Sequence, residues 1–327
     1  MDSIVSALKK LFGFKGDVSL SRIEAGFLCV NHSVLVDGER YFLKGYRFDD
    51  GEQVAEIHKI KFFFSSEGVP VILPLRNSEG NTYFSIDGKY YALFPFVKGV
   101  HHNRGSMPSA AVSALGTFLA KLHKAGAKCN FPVRGTFKHK GPERFKVGAE
   151  EILGIIRSKK SLDYFDEKAL EGLEFKMVVS QRDGVDVDTL LIDPFVLLHG
   201  DFHEQNVFFD DAMQIKYVFD FEKAVMGPRA FEFWRSADYM FLNGTFSDDR
   251  LTHVAAYLKA YNRENPISKP ELARGLEIYY QRIIHSLWIE KEHYLEGSTR
   301  TDHFLDNETV KYLSEKRVEF LNKIISL

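Results

Sequence analysis

Residues 197–209 read LLHGDFHEQNVFF, a polar loop held between two short apolar runs. Apolar runs of this length, rich in Leu, Val and Phe, predict buried strands, and strands hold the side chains of an intervening loop in fixed positions. A second such segment, YVFDFE at residues 217–222, places Asp220 at the end of a strand, with Glu222 two residues on and on the same side. The pattern predicts one cleft that contains Asp201, Asn206, Asp220 and Glu222.

Carboxylate and amide side chains in one cleft are the groups that phosphoryl transfer requires. One carboxylate accepts the proton of the attacking hydroxyl and orients its oxygen, while hard oxygen ligands hold Mg²⁺ against a triphosphate. Asp201 is the candidate for the first role, and Asn206 and Asp220 are the candidate ligands for Mg²⁺. The residues therefore indicate an enzyme that uses ATP and Mg²⁺.

The reaction also needs a fixed cation beside the phosphates. Lys44 lies in the middle of the β-rich run YFLKGY at residues 41–46. A lysine at such a position needs a counter-ion, and Glu56 on the following helix is the predicted partner, with Glu52 as the alternative. A surface lysine on an edge strand is the competing interpretation.

The order of the predicted elements divides the chain in two. Residues 1–97 read as a small antiparallel sheet, with hairpin turns at Asp37-Gly38 and Asp87-Gly88 and one helix from about 52 to 66. Beyond Lys98-Gly99 the pattern is mainly helical. Helical patterns are predicted at 110–125, 142–158, 163–180, 249–263, 270–295 and 307–325. The fold class is therefore α+β, with a β-rich lobe at 1–97 and a larger, mainly α-helical lobe at 98–327.

Composition limits the functions that fit this chain of 327 residues. The formal net charge of −2 gives no basic field, so a nucleic-acid partner is not expected. Two cysteines form no disulfide framework. No stretch approaches the roughly 18 apolar residues of a membrane span, and no secretory signal is visible. The expected location is the cytoplasm, without a membrane partner, and the oligomeric state is not predicted.

The spacing HGDxHxxN at residues 199–206, followed by DxE at 220–222, resembles the signature of the aminoglycoside phosphotransferase and choline kinase superfamily. That family shares the bilobal protein-kinase fold and includes homoserine-kinase-like members. The resemblance implies that Asp201 is the catalytic base, that His203 belongs to the same catalytic loop, and that ATP and Mg²⁺ are the cofactors. It assigns the metal to Asn206, Asp220 and Glu222.

Further family positions follow in the same order along the chain. The segment LFPFVKG at residues 93–99 matches the hinge between the lobes, so Phe94, Phe96 and Val97 are predicted to bind the nucleotide. The turn expected to cover the phosphates, residues 24–31, holds one glycine, Gly26. The family usually has aspartate where this chain has Glu222. Within FEFW at 231–234, Glu232 is the candidate to replace an aspartate that braces the catalytic loop.

The substrate predicted from this resemblance is a small molecule with a hydroxyl group: an amino alcohol, amino acid, aminoglycoside or sugar. The segment YLKAYNRENP at residues 257–266 loosely resembles homoserine-kinase-like members, which favours an amino alcohol or amino acid. A protein Ser/Thr kinase is one alternative, although only eleven residues separate Asp220 from Glu232 and leave little room for an activation segment. A non-catalytic relative of the spore-coat kind is another. A transition-metal site at His199, Asp201 and His203 is disfavoured, because no further His or Cys follows at suitable spacing.

Overall fold

The computed structural model describes residues 2–23, 30–105, 107–135, 137, 141–191 and 194–327. The helices are α1 (Asp2–Phe12), α2 (Gly51–Ser66), α3 (Ser109–Gly126), α4 (Pro142–Ser158), α5 (Tyr164–Asp183), α6 (Arg229–Ala237), α7 (Asp248–Glu264), α8 (Lys269–Ile284), α9 (Trp288–Tyr294) and α10 (Glu308–Ser326). The strands are β1 (Val18–Ile23), β2 (Val30–Val36), β3 (Glu39–Gly45), β4 (Phe84–Ile86), β5 (Lys89–Pro95), β6 (Val196–Leu198), β7 (Val207–Phe209), β8 (Ile215–Val218) and β9 (Val225–Gly227).

The first five strands form one antiparallel sheet in the order β1-β2-β3-β5-β4. Both predicted hairpin turns are confirmed. Asp37 and Gly38 have φ of 50° and 83°, and Asp87 and Gly88 have φ of 50° and 76°. Two consecutive residues with positive φ match the right-handed twist of the strands that they join, which explains the Asp-Gly sequence at both turns. Helix α2 interrupts this sheet between β3 and β4, as predicted.

One face of the sheet is covered by α1. Ile4 and Leu8 of α1 are buried in a cluster that includes Val34 of β2 and Leu43 of β3. Because side chains alternate between the faces of a strand, burial of Leu43 under α1 turns the neighbouring Lys44 to the opposite face. The sheet thus places a lysine on its central strand, facing the rest of the chain.

The second part of the chain is mainly helical, as predicted, and its packing is centred on α3 and α7. At Gly116 of α3 a Cβ atom would lie 2.4 Å from the Tyr257 carbonyl oxygen, so the two helices approach closely at this residue. The core continues from these helices to α2 and β5 of the sheet, through Phe64 and Phe94. Within the described residues no helix is long and apolar enough to cross a membrane.

Two features of the helical part differ from the sequence predictions. The helix predicted at 270–295 is divided into α8 and α9, because the chain turns at His285–Leu287. There the Lys176 ammonium lies 3.2 Å from the Ser286 carbonyl oxygen and 3.0 Å from the Glu290 carboxylate, so tertiary contacts stabilise the break. Helix α6 was not predicted. It begins directly after Pro228, whose extended backbone precedes the first helical turn.

Candidate active site

Two short antiparallel ladders carry the residues of the predicted cleft. β6 pairs with β9, and β7 pairs with β8. The loop at 199–206 joins β6 to β7, and the loop at 219–224 joins β8 to β9. Gly200 has φ of 80°, and a Cβ atom there would lie 1.8 Å from the Lys223 carbonyl oxygen. The two loops therefore touch, and only glycine fits at their closest approach.

Glu232 of α6 holds the first loop in place. Its carboxylate accepts hydrogen bonds from the backbone amides of His199 at 3.1 Å and Gly200 at 2.5 Å, and it lies 2.9 Å from His123 Nε2. Burial raises the pKa of this carboxyl, but the hydrogen bond and charge of His123 outweigh burial and lower it. Glu232 thus holds the loop at 199–206 as predicted, and the catalytic role of that loop stays a prediction.

Backbone and side-chain hydrogen bonds then join the two loops. His199 Nε2 lies 2.8 Å from the Phe219 carbonyl oxygen, and the Phe219 amide donates to the Asn206 carbonyl oxygen at 3.1 Å. The Asn206 side-chain amide donates to the Asp201 carbonyl oxygen at 2.8 Å. His199 interacts electrostatically with the carboxylates of both Asp201 and Asp220. The structure thus brings together the residues for which the sequence predicts one cleft.

Two cations and a histidine contact the Asp201 carboxylate. Arg235 binds one of its oxygens, the Lys223 ammonium lies 2.9 Å from the other, and His203 Nε2 is 3.7 Å from that second oxygen. Burial raises the pKa of the Asp201 carboxyl, but the charge of Arg235 and the contacts of His203 and Lys223 hold it well below its usual range. Asp201 is therefore a carboxylate at neutral pH, as an acceptor of a proton must be.

Lys44 has a different counter-ion from the one predicted. Its ammonium lies 2.9 Å from Asp220 Oδ1 and 2.5 Å from Glu222 Oε1. The predicted pair of Lys44 with Glu56 is wrong, because Glu56 accepts a hydrogen bond from the Arg134 backbone amide at 2.6 Å and its other oxygen lies 3.6 Å from Arg134 Nε.

The alternative partner, Glu52, also binds Arg134. Both acidic residues near the start of α2 thus contact Arg134, in the segment that follows α3. The acidic partner of the lysine comes instead from the loop at 219–224. Asp220, which supplies one of its oxygens, adopts φ of 65°, an uncommon backbone conformation for a residue other than glycine.

A second lysine is within electrostatic reach of this ion pair. Lys61 of α2 is buried, with its ammonium 3.5 Å from the Ile72 carbonyl oxygen and 4.6 Å from the centroid of the Phe94 ring. Burial and the charge of Lys44 lower its pKa to about 7, although Asp220 and Glu222 act in the opposite direction. Lys61 thus titrates near neutral pH within electrostatic reach of the predicted metal ligands.

The predicted hinge residues lie at and just beyond the end of β5. The Phe94 side chain is buried in the core, the Phe96 ring lies 5.0 Å from the Arg40 guanidinium, and Val97 packs against the main core. Adenine binding by their backbone remains a prediction, as does the lobe boundary between residues 97 and 98. Gly26, the glycine predicted to approach the phosphates, lies outside the described residues.

The side-chain oxygens of Asn206 and Asp220 are of the kind that Mg²⁺ prefers. Both side-chain hydrogen bonds of Asn206 use its amide nitrogen, which leaves the amide oxygen available as a candidate ligand atom. Asp220 adds a carboxylate whose pKa is lowered by Lys44 against the opposing effect of burial. Among the residues that the structure describes, no group of three or more His, Cys, Asp or Glu side chains is arranged to hold a metal by itself. A Mg²⁺ site does not require such a group of three side chains, because Mg²⁺ keeps several waters and binds through one or two protein oxygens plus phosphate.

Several residues around Asp201 were not predicted from the sequence. Lys223, directly after Glu222, and Arg235, directly after the FEFW segment, both bind the Asp201 carboxylate. Their positions directly after these predicted segments were the signal in the sequence from which they could have been identified. Lys61 was visible only as a polar residue on the buried side of an amphipathic helix. Arg104 and Tyr239, which contact each other beside the cleft, carried no local pattern.

The chain belongs to the phosphotransferase enzyme family, because the model of that family matches residues 19–271, more than three quarters of its length. Among individual proteins, a homoserine kinase from Methylobacillus flagellatus (strain ATCC 51484 / DSM 6875 / VKM B-1610 / KT) is 24% identical over 260 residues, which span 78% of this chain and 74% of the relative. The predicted membership of the aminoglycoside phosphotransferase and choline kinase superfamily is thereby confirmed.

Solved structures with the same fold align with nearly the whole of this chain. An amicoumacin kinase in complex with AMP-PNP aligns with a TM-score of 0.64 at 14% identity, covering 96% of this chain and 93% of that one. A microcompartment-associated aminopropanol kinase gives a TM-score of 0.64 at 14% identity, covering 98% of each chain. A spectinomycin phosphotransferase gives 0.61 at 15% identity, covering 99% and 93%. The predicted bilobal, kinase-like α+β fold is confirmed.

Proposed function

We propose that this phosphotransferase moves the γ-phosphate of MgATP to a hydroxyl group of a small molecule, with Asp201 as the catalytic base. The observation that carries the proposal is the hydrogen-bonded junction of the two loops, which places Asp201 and Asn206 beside Asp220 and its ion pair with Lys44. Asp201 as a general base, Asn206 and Asp220 as oxygen donors and Lys44 as a cation would then form the set of groups that phosphoryl transfer uses.

In the proposed reaction the acceptor hydroxyl binds at the Asp201 carboxylate. Its proton passes to Asp201 as the acceptor oxygen bonds to the γ-phosphorus, and the bond between that phosphorus and the bridging oxygen of ADP breaks. Arg235 and Lys223 hold the carboxylate in one orientation, so the hydroxyl is positioned as well as deprotonated. His203 lies within 3.7 Å of the same carboxylate and maintains the shape of its loop.

Asn206 and Asp220 would hold Mg²⁺, which neutralises the charge that develops on the phosphate oxygens. Lys44 would bind the phosphates of ATP. Its two carboxylate partners fix its ammonium group in the cleft, and when the nucleotide binds the lysine has oxygens of the phosphates as further partners. Glu222 was predicted as a metal ligand, but its contacts support a role as the counter-ion of Lys44.

The proposed substrate class is an amino alcohol or an amino acid that carries a hydroxyl group. The homoserine kinase relative acts on a substrate of the second kind, and the aminopropanol kinase with the same fold acts on one of the first. ATP as the phosphate donor is supported by the family and by the AMP-PNP that the amicoumacin kinase structure contains.

The test is the substitution Asp201→Asn. We expect phosphorylation of the acceptor to fall by about 10²–10⁴-fold, because the amide cannot accept the hydroxyl proton. ATP affinity, measured by titration calorimetry in Mg²⁺, should stay within about twofold, since Asp201 is not among the residues assigned to the nucleotide.

The matched control is Asp211→Asn, which changes an exposed carboxylate in the turn between β7 and β8. The Asp211→Asn variant should have the same turnover and ATP affinity as the wild-type chain. If the Asp201→Asn variant keeps the turnover of this control, Asp201 is not the base.

A further inference from the structure

The two cations that bind the Asp201 carboxylate differ in burial. Arg235 binds Oδ1; its side chain is only 13% exposed, and its guanidinium lies 4.5 Å from the centroid of the Tyr239 ring. The Lys223 ammonium lies 2.9 Å from Oδ2, and the Lys223 side chain is 50% exposed. An ion pair with an exposed lysine contributes little to stability. The lysine can therefore leave the carboxylate at low cost, whereas the arginine is held by its surroundings.

The backbone of Lys223 is fixed where the two loops touch. At Gly200 a Cβ atom would lie 1.8 Å from the Lys223 carbonyl oxygen and 3.2 Å from the Lys223 Cβ atom. Lys223 also follows Asp220, a predicted ligand of Mg²⁺, by three residues. A lysine side chain is a flexible four-carbon chain with a compact charge at its end. The ammonium can thus move, but only within the length of that chain from the contact between the loops.

Asp201 is the single ion-pair partner that Lys223 has among the described residues. Because Arg235 is nearly buried, an acceptor that enters from solvent reaches the Oδ2 side of Asp201, where the lysine lies. Transfer of the hydroxyl proton to Asp201 then removes the negative charge that pairs with the ammonium. In the same step the transferring phosphoryl group carries negative charge on its oxygens, next to Asp201 because the acceptor oxygen joins the two.

We propose that Lys223 is a catalytic residue, whose ammonium moves from Asp201 Oδ2 to the transferring phosphoryl group as the acceptor hydroxyl takes its place. This inference rests on the proposed kinase function and adds a residue to it. In the step, the acceptor oxygen bonds to the γ-phosphorus, and the bond from that phosphorus to the bridging oxygen of ADP breaks. The hydroxyl proton goes to Asp201, while Lys223 keeps its own proton and neutralises charge on the phosphoryl oxygens.

The first test is Lys223→Met, with L-homoserine and 3-aminopropan-1-ol as acceptors and mass spectrometry of the product. We expect kcat to fall by about tenfold to a hundredfold, the effect of one charge-assisted hydrogen bond made in the transition state. The KM of the acceptor should not rise, because its hydroxyl no longer displaces the ammonium. ATP affinity without acceptor, measured by titration calorimetry in Mg²⁺, should stay within about twofold.

Two further variants control this measurement. Lys223→Arg keeps a positive charge on a chain of similar length and should restore most of kcat. Lys323→Met is the matched control, because Lys323 is 45% exposed and lies 2.6 Å from Asp248, in a similar surface ion pair on α10. It should have the kcat of the wild-type chain. If Lys223→Met has the kcat of this control, or if it raises the KM of the acceptor without lowering kcat, the proposal is wrong.

A double-mutant cycle distinguishes contact with the phosphoryl group from orientation of Asp201. The residual turnover of Asp201→Asn is compared with that of Asp201→Asn combined with Lys223→Met, using ATP that carries a radioactive γ-phosphate. A lysine that binds the phosphoryl group acts without the carboxylate, so we expect a further fall of about tenfold in the double variant. If the double variant equals Asp201→Asn, the lysine acts only through Asp201 and the proposal is overturned.

A binding measurement separates this inference from the proposed acceptors if the wild-type chain phosphorylates neither of them. Aluminium fluoride with MgADP mimics the phosphoryl group in transfer, and a catalytic site binds such a mimic tightly. We expect the gain in MgADP affinity that the fluoride gives to be about tenfold smaller in Lys223→Met, with unchanged affinity for MgADP alone. An equal gain in both chains, or no gain in the wild-type chain, overturns the role of Lys223. Absence of MgADP binding to the wild-type chain overturns the kinase function as well.

Discussion

At the scale of single residues, the ion pair of Lys44 is the feature with the clearest consequence. Lys44 binds Glu222 and Asp220, whereas Glu56 of α2 binds Arg134. The lysine is therefore held by the loop that also supplies a predicted metal ligand. Orientation of the lysine and of the metal site is thereby coupled through the short segment at 220–222.

Glu222→Gln should weaken ATP binding more than Glu56→Gln does. The Glu222 side chain is only 8% exposed, so loss of its charge leaves the nearly buried Lys44 with less compensation. We expect a loss of ATP affinity of about tenfold or more for Glu222→Gln, measured by titration calorimetry. The Glu56 variant serves as the control, since its carboxylate binds Arg134.

The same titration at several Mg²⁺ concentrations distinguishes the two roles of Glu222. A counter-ion of Lys44 gives a loss of affinity that does not change with Mg²⁺. If high Mg²⁺ restores the ATP affinity of the Glu222→Gln variant, Glu222 is a metal ligand instead. An effect of Glu56→Gln as large as that of Glu222→Gln would contradict the pairing.

At the scale of elements, the contact of α3 with α7 depends on one glycine. A Cβ atom at Gly116 would meet the Tyr257 carbonyl oxygen at 2.4 Å and the Ala260 Cβ at 2.9 Å. Gly116→Ala should therefore lower the free energy of unfolding by about 1–3 kcal/mol, since the helices must separate to make room. Thermal unfolding should show a fall of roughly 2–4 °C for each kcal/mol lost.

Gly154 in α4 is the matched control for that substitution. A Cβ atom there meets nothing within 4 Å, so Gly154→Ala should raise stability by roughly 0.5–1 kcal/mol through the better helix propensity of alanine. If both variants shift the unfolding temperature in the same direction, close packing at Gly116 is not what determines its identity.

The segment between Asp220 and Glu232 is a second feature at this scale. β9 occupies Val225–Gly227, and α6 begins at Arg229. These elements take up most of the interval in which protein kinases carry a long activation segment. Helix α6 instead contacts the loop that contains Asp201 directly, through Glu232 and Arg235.

At the scale of the whole molecule, the burial of His58 predicts that stability depends on pH. His58 of α2 is 2% exposed and lies 2.9 Å from the Tyr46 hydroxyl and 2.8 Å from the Thr82 hydroxyl, so it links α2 to the sheet. Burial, with the charges of Lys61 and Lys44, lowers its pKa from 6.5 to about 3. The unfolded chain therefore binds a proton on His58 between these values that the folded chain does not.

The contribution of His58 to stability should accordingly be complete above about pH 6.5 and decrease as the pH falls. Between pH 7 and pH 5 His58 alone should lower the free energy of unfolding by about 2 kcal/mol. Chemical denaturation at a series of pH values measures this slope, and His58→Gln should make it shallower. A free energy of unfolding that stays constant from pH 7 to pH 5 would contradict the assignment.

The sequence by itself determined the family, the α+β organisation and the proximity of the two loops that carry Asp201, Asn206 and Asp220. These features depend on local patterns: apolar runs on either side of a polar loop, Asp-Gly at hairpin turns, and fixed spacing from Asp201 to Asn206 and Asp220. For these features the spacing of residues along the chain is sufficient, because in a strand or a tight turn it fixes where each side chain lies.

Only the tertiary structure decided which charged side chains form ion pairs. The pairing of Lys44 with Glu222 and that of Arg235 with Asp201 join residues from different elements. Which of several acidic or basic side chains comes within reach of another depends on how helices pack against the sheet. That packing is set by the shapes of buried surfaces across the whole chain, and no local pattern contains it.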